Sequence, residues 1–341
     1  MSSLIPIPWG MLVLPAAVAF LISLLGTPGV VWLAKKWNLY DLPSSRRVHS
    51  KPMPRLGGII MWLAVMAALL IFLGFDPKFY GLLVGATLIF ALGLLDDIYT
   101  LPPLPKLMGQ IFVASVVVLF GITITNLTNP FGGTILLAPF WDVLLTIIWI
   151  LLVVNTINWL DGLDGLAAGV SSIAAFVLIV LSLYTIVNQP QTAALAAIVM
   201  GASLGFLYHN WHPAKIFMGD SGSHLLGFML AILAIISGGK LATAVLVLGL
   251  PILDVAWAVI RRLKQGRMPW APDKEHLHHQ LLSLGLGQRG TVLLLYLFAI
   301  GFGAVALVSR TWSKLIALVV IVAIMAIIVQ ATAYFRRKYK S

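Results

Sequence analysis

The sequence predicts an all-α protein of the polytopic helical membrane class, and its composition, hydropathy and charge placement each favour that class. Of its 341 residues, 60% are hydrophobic and only 10% are charged, and the mean hydropathy is +1.02. An average soluble domain carries about 25% charged residues, so this composition excludes a water-soluble globule and any nucleic-acid-binding module that must stay soluble. The chain has no cysteine, which excludes disulfide frameworks, thiolate metal sites and cysteine nucleophiles.

Apolar stretches of membrane-spanning length occupy most of the chain. A helix needs about 20 mostly apolar residues to cross about 30 Å of hydrocarbon. This length predicts about 11 transmembrane helices, which lie at 9–34, 56–74, 80–95, 107–125, 141–157, 166–187, 192–208, 222–237, 241–263, 291–308 and 315–335. We therefore expect a single integral-membrane domain over residues 1–341. Its active-site face is expected at the polar loops near 35–55, 96–106, 158–165, 209–221 and 264–290.

The basic residues sort sharply between the two sides of the predicted bundle. Eighteen of the 22 Lys and Arg residues fall on one side, and the others are Lys78, Lys240, Arg310 and Lys314. Because short cytoplasmic loops carry the excess of Lys and Arg, we expect the N-terminus outside and the C-terminus in the cytoplasm. All seven histidines lie on the cytoplasmic side, so any chemistry is expected at that face.

Two adjacent carboxylates, Asp96 and Asp97, end the third predicted span. Such a pair repels itself and is costly to bury. A divalent cation, or a lysine such as Lys106 beyond the following prolines, is therefore expected to share it. The alternative is an exposed pair that only marks the end of a helix.

Four polar residues at intervals of three end the fifth span, in the sequence NTINWLDGLDGLAAG. Helical geometry puts Asn155 and Asn158 on one face, and likewise Asp161 and Asp164. Polar groups at the mouth of a span are costly unless they meet water, a metal ion or a ligand, which favours a binding site. The alternative is a simple break of the helix.

A single aspartate, Asp220, precedes the Gly- and Ser-rich entry to the eighth span in FMGDSGSHLLG. The free N–H groups at a helix N-terminus bind phosphate, and a carboxylate beside them can hold the metal ion that phosphate brings. The alternative is that Asp220 is only an N-cap.

Three histidines, His276, His278 and His279, lie in the last cytoplasmic loop, in the sequence PDKEHLHHQL. Zinc signatures place helical ligands four residues apart or add cysteines, so this spacing fits zinc poorly. His276 and His279 are expected to share a helical face, with His278 pointing elsewhere. Contact with phosphate oxygen is favoured, and packing within the loop is the alternative. Asp254, inside the preceding span, is expected to support the site structurally.

Carboxylates, amides and basic groups at one membrane face together indicate phosphoryl chemistry. Mg²⁺ is usually bound by one or two carboxylates plus substrate phosphates, and phosphoryl transfer needs chiefly positioning and charge neutralisation. The residues alone therefore predict a metal-dependent phosphotransferase that acts on a lipid. A membrane transporter is the alternative, although a transporter would place its polar residues near the midplane of the bilayer.

The motifs resemble, in order, those of the polyprenyl-phosphate N-acetylhexosamine-1-phosphate transferase family, in its WecA/TagO-like branch. The resemblance covers about residues 9–335 and rests on DLPSSRRVHSKPMPRLGG, LLDDIYTLPPLPK, NTINWLDGLDGLAAG, FMGDSGSHLLG, LPILD and PDKEHLHHQL. It implies transfer of N-acetylhexosamine-1-phosphate, most simply from UDP-GlcNAc, to undecaprenyl phosphate with release of UMP. Another UDP-amino sugar is the alternative donor. It also implies the bacterial cytoplasmic membrane, surface-glycan synthesis, membrane lipid and a homodimer as partners, and no nucleic acid.

The resemblance further implies a role for each motif residue. Asp220 would be the principal ligand of Mg²⁺ or Mn²⁺ and Asn158 a second ligand. Asp96 and Asp97 would be the catalytic pair, which orients the lipid phosphate or removes a residual proton from it. Asp164 would face the uracil. The other substrate-binding residues would be Asn155 and Asp161 in the nucleotide pocket, Lys106 at the diphosphate, His276, His278 and His279 around the phosphates or sugar, and Lys51 and Arg55 on the nucleotide side.

Overall fold

The computed structural model describes residues 9–41, 52–72, 79–129, 133–184, 187–237, 241–268, 276–309 and 311–338. The helices in these ranges are α1 (Gly10–Lys36), α2 (Gly57–Phe72), α3 (Tyr80–Tyr99), α4 (Pro103–Leu119), α5 (Pro139–Leu160), α6 (Leu166–Leu183), α7 (Pro190–Asn210), α8 (Gly219–Ile236), α9 (Leu241–Val247), α10 (Gly249–Lys264), α11 (Leu277–Ser283), α12 (Gly287–Val308) and α13 (Thr311–Lys338). Two short antiparallel hairpins pair β1 (Tyr40–Asp41) with β2 (Met53–Pro54), and β3 (Asn126–Thr128) with β4 (Thr134–Leu136).

Seven of the described helices are long and apolar enough to cross a membrane, namely α1, α3, α5, α6, α7, α8 and α12. The pair α9 and α10 passes the same test together, which gives up to eight spans. Helices α2 and α4 and the segment Trp312–Ile328 are apolar but shorter. The prediction of an all-α, polytopic membrane protein is confirmed, whereas the larger predicted number of spans and the sides of the two termini stay predictions.

The predicted span 241–263 consists of two helices, α9 and α10, rather than one continuous helix. The chain bends by 81° between α9 and α10, at the sequence Leu248-Gly249-Leu250-Pro251. Proline has no backbone N–H, so Pro251 cannot donate to the carbonyl of Val247 and continue the same helix. It lies instead in the first turn of α10, where a missing N–H is tolerated.

Helix α8 forms the centre of the bundle. It packs against α2, α3, α5 and α6, and 89% of its 18 residues are buried. Leu225, Phe228 and Met229 are fully buried along it, so burial of apolar surface holds the helix in place on several sides. The first turn of α8 is therefore a fixed point at which side chains from neighbouring helices can converge.

Two glycines let neighbouring helices approach that first turn closely. A Cβ on Gly93 of α3 would lie 2.5 Å from the backbone oxygen of Asp220, and a Cβ on Gly58 of α2 would overlap the amide nitrogen of Gly222. Only a residue without a side chain fits either position. Gly58 also donates from its backbone N–H to the carbonyl of Met218 at 2.8 Å. These contacts bring the ends of α2 and α3 onto the start of α8.

Candidate active site

The carboxylate of Asp220, in the first turn of α8, is the centre of the site. Lys106 Nζ lies 2.5 Å from its Oδ2, and Arg55 Nη2 lies 3.2 Å from its Oδ1. Asn158 donates from Nδ2 to Oδ1 at 2.9 Å. The three partners come from α4, from the segment before α2 and from α5, so the site joins elements that are distant in sequence.

Asp97 caps the N-terminus of α8. Its Oδ1 accepts from the backbone N–H of Asp220 at 2.7 Å, and its Oδ2 accepts from the backbone N–H and the hydroxyl of Ser221 at 3.0 and 2.6 Å. Arg55 Nε lies 3.0 Å from Oδ1, and the Asp97 side chain is fully buried. Acceptor oxygens at a helix N-terminus stabilise that helix, so Asp97 holds the turn that carries Asp220.

Asp96 holds the connection between α3 and α4. Its Oδ1 accepts from the backbone N–H of Leu101 at 2.6 Å, and its Oδ2 lies 2.7 Å from Lys106 Nζ. Lys106 thus bridges Asp96 and Asp220. It is one of the two partners expected from the sequence, and it offsets the charge of one member of the Asp96–Asp97 pair. Arg55 offsets the charge of the other member, Asp97, which the sequence did not predict.

Arg55 lies in the segment before α2, which is joined by backbone hydrogen bonds to the segment before α8. The backbone N–H of Phe217 donates to Pro54 at 2.9 Å, and that of Gly57 donates to Phe217 at 3.0 Å. Burial opposes the charged guanidinium, but the nearby carboxylates of Asp97, Asp220 and Asp41 raise the pKa of Arg55 above its usual value. Lys51, the other basic residue predicted from this loop, lies outside the described residues.

The two asparagines of α5 have different surroundings. Asn158 donates to Asp220 and, at 3.0 Å, to the hydroxyl of Ser223. One turn deeper, Asn155 donates to Gln110 Oε1 at 2.8 Å and to the backbone oxygen of Leu151. Gln110 Nε2 in turn lies 3.4 Å from the Nε2 of the buried His224. Asn155 therefore belongs to a polar row beneath the site, whereas Asn158 belongs to the site itself.

The expectation that Asp161 and Asp164 share one helical face is wrong, because α5 ends at Leu160. Residues 161–165 form a turn instead, so no helical repeat relates the two side chains. Desolvation raises the pKa of Asp161 well above its usual value, and repulsion from Asp220 and Asp97 adds to the effect. Asp164 Oδ2 accepts from His212 Nδ1 at 2.7 Å and from the backbone N–H of Ala214 at 3.1 Å.

The histidines also differ from their predicted arrangement. Helix α11 begins at Leu277, so His276 precedes it and does not share a helical face with His279. The rings of His276 and His278 stack instead, 5.9 Å apart and 4° from parallel. Burial, followed by repulsion from His279 and His276, lowers the pKa of His278 well below its usual value. Its Nε2 lies 2.5 Å from where a Cβ on Gly162 would be, so His278 covers the turn after α5.

His276 is held by two side chains of α10, Asp254 and Arg262. Its Nδ1 lies 3.0 Å from Asp254 Oδ2, and its Nε2 lies 3.4 Å from Arg262 Nη2. Asp254 Oδ1 also accepts from the backbone N–H of Leu277 at 2.8 Å, and Arg262 lies over the ring of Trp159. Asp254 thus joins α10 to α11, which is the supporting position expected for it.

Comparison with known proteins decides the family. The profile of Glycosyl transferase family 4 matches residues 79–238. A Bacillus subtilis protein named as a probable undecaprenyl-phosphate N-acetylglucosaminyl 1-phosphate transferase is 37% identical over 95% of this chain and 94% of its own length. The chain belongs to the polyprenyl-phosphate N-acetylhexosamine-1-phosphate transferase family.

Two further relatives of this transferase come from Mycolicibacterium smegmatis and Thermotoga maritima. The decaprenyl-phosphate N-acetylglucosaminephosphotransferase of Mycolicibacterium smegmatis is 35% identical over 97% of this chain and 90% of its own length. The undecaprenyl-phosphate alpha-N-acetylglucosaminyl 1-phosphate transferase of Thermotoga maritima is 31% identical over 81% of this chain and 84% of its own length. The similarity thus extends well beyond the segment that the family profile matches.

The donor set around Asp220 fits a divalent cation. Over the described ranges no three His, Asp or Glu side chains already form a metal cage, but Mg²⁺ needs only one or two carboxylates and takes its other ligands from phosphate and water. Asn158 uses its Nδ2 for hydrogen bonds, so its amide oxygen is available as a ligand. The carboxylates of Asp96, Asp97 and Asp220 pair with two cationic side chains, Arg55 and Lys106, so the carboxylates outnumber the cations.

Sequence reasoning did not single out three residues of this transferase as site residues. Gln110 and His224 form the polar row beneath the site, and His212 contacts Asp164. The signal for Gln110 and His224 was present, because a polar residue within an apolar stretch is costly unless it has a partner. No spacing rule identifies His212, since its contact with Asp164 spans 48 residues and depends on how two loops meet.

Proposed function

We propose that this protein transfers GlcNAc-1-phosphate from UDP-GlcNAc to undecaprenyl phosphate, releases UMP and so starts the lipid-linked synthesis of a surface glycan. The observation that carries the proposal is the Asp220 carboxylate at the start of the central helix, with Lys106, Arg55 and Asn158 directly on it. That arrangement suits a reaction whose catalysis is mainly positioning and charge neutralisation. The printed names of the relatives support a polyprenyl-phosphate acceptor and an N-acetylglucosamine donor.

The reaction requires one phosphorus–oxygen bond to form and another to break. An oxygen of the lipid phosphate attacks the β-phosphorus of the UDP-sugar, and the bond between that phosphorus and the bridging oxygen of the α-phosphate breaks, so UMP leaves. A phosphate monoester has its second pKa near 6. The lipid phosphate is therefore mostly dianionic at neutral pH, and its attack does not depend on a general base.

Asp96 and Asp97 have different parts in this proposal. Asp97 is fully buried and its oxygens bind the first turn of α8 and Arg55, so it positions Asp220. Asp96 pairs with Lys106, whose long side chain can turn from a carboxylate to a phosphate. We assign Asp96 and Lys106 to the lipid phosphate and the diphosphate of the donor.

Asp220 and Asn158 would hold Mg²⁺, with Mn²⁺ as a substitute. When bound, the ion supplies positive charge that stabilises the phosphate of the departing UMP. Three carboxylates, those of Asp96, Asp97 and Asp220, share only two cationic side chains, and this surplus supports the assignment. Arg55 pairs with Oδ1 of Asp220, whereas Lys106 pairs with Oδ2, so the two side chains together hold the carboxylate in place.

The nucleotide side of the site is proposed at the turn after α5. Asp161 and Asp164 lie there, and His278 covers the turn. His279 follows His278 on α11 and is assigned to the phosphates or the sugar. Asn155 and His276 act through neighbours, Gln110 and Asp254 respectively, and so would position the pocket rather than touch the substrate.

The site is proposed to face the cytoplasm across a bacterial cytoplasmic membrane. The support is the sorting of Lys and Arg along the sequence and the supply of nucleotide sugars on that side of the membrane. The N-terminus would then be outside and the C-terminus inside. A homodimer and the absence of a nucleic-acid partner stay predictions.

A transporter is the second candidate, because polar residues lie at the ends of several spans. It is less well supported, since the carboxylates cluster at helix ends and the relatives are named as transferases. Another UDP-amino sugar as donor stays an alternative within the same mechanism.

UMP release by the purified protein tests the proposal. The assay contains undecaprenyl phosphate and either UDP-GlcNAc or UDP-GalNAc, with and without Mg²⁺, beside Asp220→Ala. We expect Mg²⁺-dependent UMP from UDP-GlcNAc that the variant no longer forms. UMP from UDP-GalNAc alone would correct the sugar, and no UMP from any nucleotide sugar with folded protein would overturn the transferase proposal.

A further inference from the structure

The carboxylate of Asp164 is held on one side only. Its Oδ2 accepts two hydrogen bonds, from the imidazole Nδ1 of His212 at 2.7 Å and from the backbone N–H of Ala214 at 3.1 Å. Across the described part of the chain, its Oδ1 accepts no hydrogen bond. The side chain is 14% exposed. An ionised carboxylate only accepts hydrogen bonds, so His212 is the donor in this pair and Oδ1 remains an acceptor available to a ligand.

The segment that carries His212 is joined firmly to the turn that carries Asp164. The buried Asn210 accepts from the backbone N–H of Gly165 at 3.0 Å and donates to the carbonyl of Ile216 at 2.9 Å. Asn210 therefore fixes the backbone near Asp164 relative to the backbone near His212.

Two side chains of helix α12 bind the backbone of the same two segments. Arg289 Nη2 donates to the backbone oxygen of His212 at 3.0 Å, and the Tyr296 hydroxyl donates to the backbone oxygen of Gly165 at 2.5 Å. Because both backbone segments are held, the motion left to Asp164 is mainly rotation about its side-chain bonds. The hydrogen bonds from His212 and from the backbone N–H of Ala214 restrict that rotation, and of the two only the His212 bond comes from a side chain.

We infer that His212 is a positioning residue that holds Asp164 Oδ2 so that Oδ1 accepts a hydrogen bond from the nucleobase of the donor substrate. This inference rests on the proposed function. A fixed acceptor favours a base with a ring N–H, as uracil has at N3, over cytosine, whose N3 is itself an acceptor. His212 thereby contributes to recognition of a uridine nucleotide without touching it.

Three substitutions at His212 separate positioning through Nδ1 from direct contact through Nε2. The amide nitrogen of asparagine can take the place of Nδ1, that of glutamine reaches nearer to Nε2, and phenylalanine has no donor. We expect His212→Phe and His212→Gln to raise the KM for UDP-GlcNAc and the inhibition constant of UMP about tenfold, the usual cost of a lost hydrogen bond to a charged group. His212→Asn should restore most of both values, with kcat and the KM for undecaprenyl phosphate little changed in all three variants.

Direct binding of UMP by calorimetry provides a readout that does not need turnover. The wild type should bind UMP more tightly than CMP, and His212→Phe should lose most of that preference, whereas His212→Asn keeps it. Rescue by glutamine rather than asparagine, or equal loss of UMP and CMP binding, would overturn the inference. Wild-type protein that forms no UMP from any UDP-sugar would instead overturn the proposed function, so the two failures are distinct.

Discussion

At the scale of single residues, the adjacent carboxylates have separate tasks. Asp97 binds the first turn of α8, and Asp96 binds the α3–α4 connection and Lys106. The sequence alone does not distinguish the roles of these two neighbouring aspartates. The structure distinguishes them because consecutive helical residues point in different directions.

Asp97→Asn and Asp96→Asn should therefore differ in stability. Asparagine at 97 would turn an N–H₂ group toward backbone donors, so we expect a loss of about 1–3 kcal/mol in the free energy of unfolding. Asparagine at 96 can still accept from Leu101 and should cost less, while activity falls because the pairing with Lys106 is weakened. Thermal unfolding in detergent beside UMP release measures both. Unchanged stability with abolished turnover in Asp97→Asn would instead identify Asp97 as a group that acts on substrate.

His278 should make the fold sensitive to acid. Burial lowers the pKa of His278 in the folded protein, while the unfolded chain keeps a value near 6.5. As pH falls below about 6.5 the unfolded state binds the proton first, so stability is lost toward acid pH. The thermal midpoint measured at neutral and acid pH should fall less in His278→Gln than in the wild type. Equal slopes in the two proteins would contradict the assignment.

At the scale of elements, the site depends on how closely α3 and α8 approach. Gly93→Ala would place a Cβ 2.5 Å from the backbone oxygen of Asp220, which forces the helices apart. We expect a loss of about 1–3 kcal/mol in the free energy of unfolding together with most of the activity. The matched control is Gly301→Ala in α12, where a Cβ meets nothing within 4 Å.

Gly301→Ala should be neutral or slightly stabilising in the same unfolding and UMP-release assays, because alanine favours a helix over glycine. A Gly93→Ala variant that behaves like this control would show that α3 and α8 are not held together in the way described.

Helices and motif positions were predictable from the sequence, but contacts between motifs were only partly so. Apolar length predicts the seven described helices that are long enough to cross a membrane, and polar residues at helix ends indicate the proposed site face. Asp97 and Ser221 are 124 residues apart, so their contact depends on packing of the whole bundle. The bend before Pro251 escaped prediction because hydropathy continues through it.

At the scale of the whole molecule, the absence of native cysteine makes topology directly measurable. Thr134 of β4 and Gln265 after α10 are both exposed and are predicted on opposite sides of the membrane. In intact cells a membrane-impermeant maleimide should label Thr134→Cys, and it should label Gln265→Cys only after lysis. The reverse pattern would invert the proposed orientation and place the site outside.

The fate of the β-phosphate of UDP-GlcNAc tests the central claim most directly. Donor labelled with ³²P at that position is incubated with undecaprenyl phosphate, Mg²⁺ and either wild-type protein or Asp220→Asn. The proposed reaction carries the label into the lipid and leaves UMP unlabelled, and the variant should transfer little. Label that stays with a released nucleotide while sugar reaches the lipid would contradict phosphoryl-sugar transfer, and full transfer by the variant would contradict the role given to Asp220.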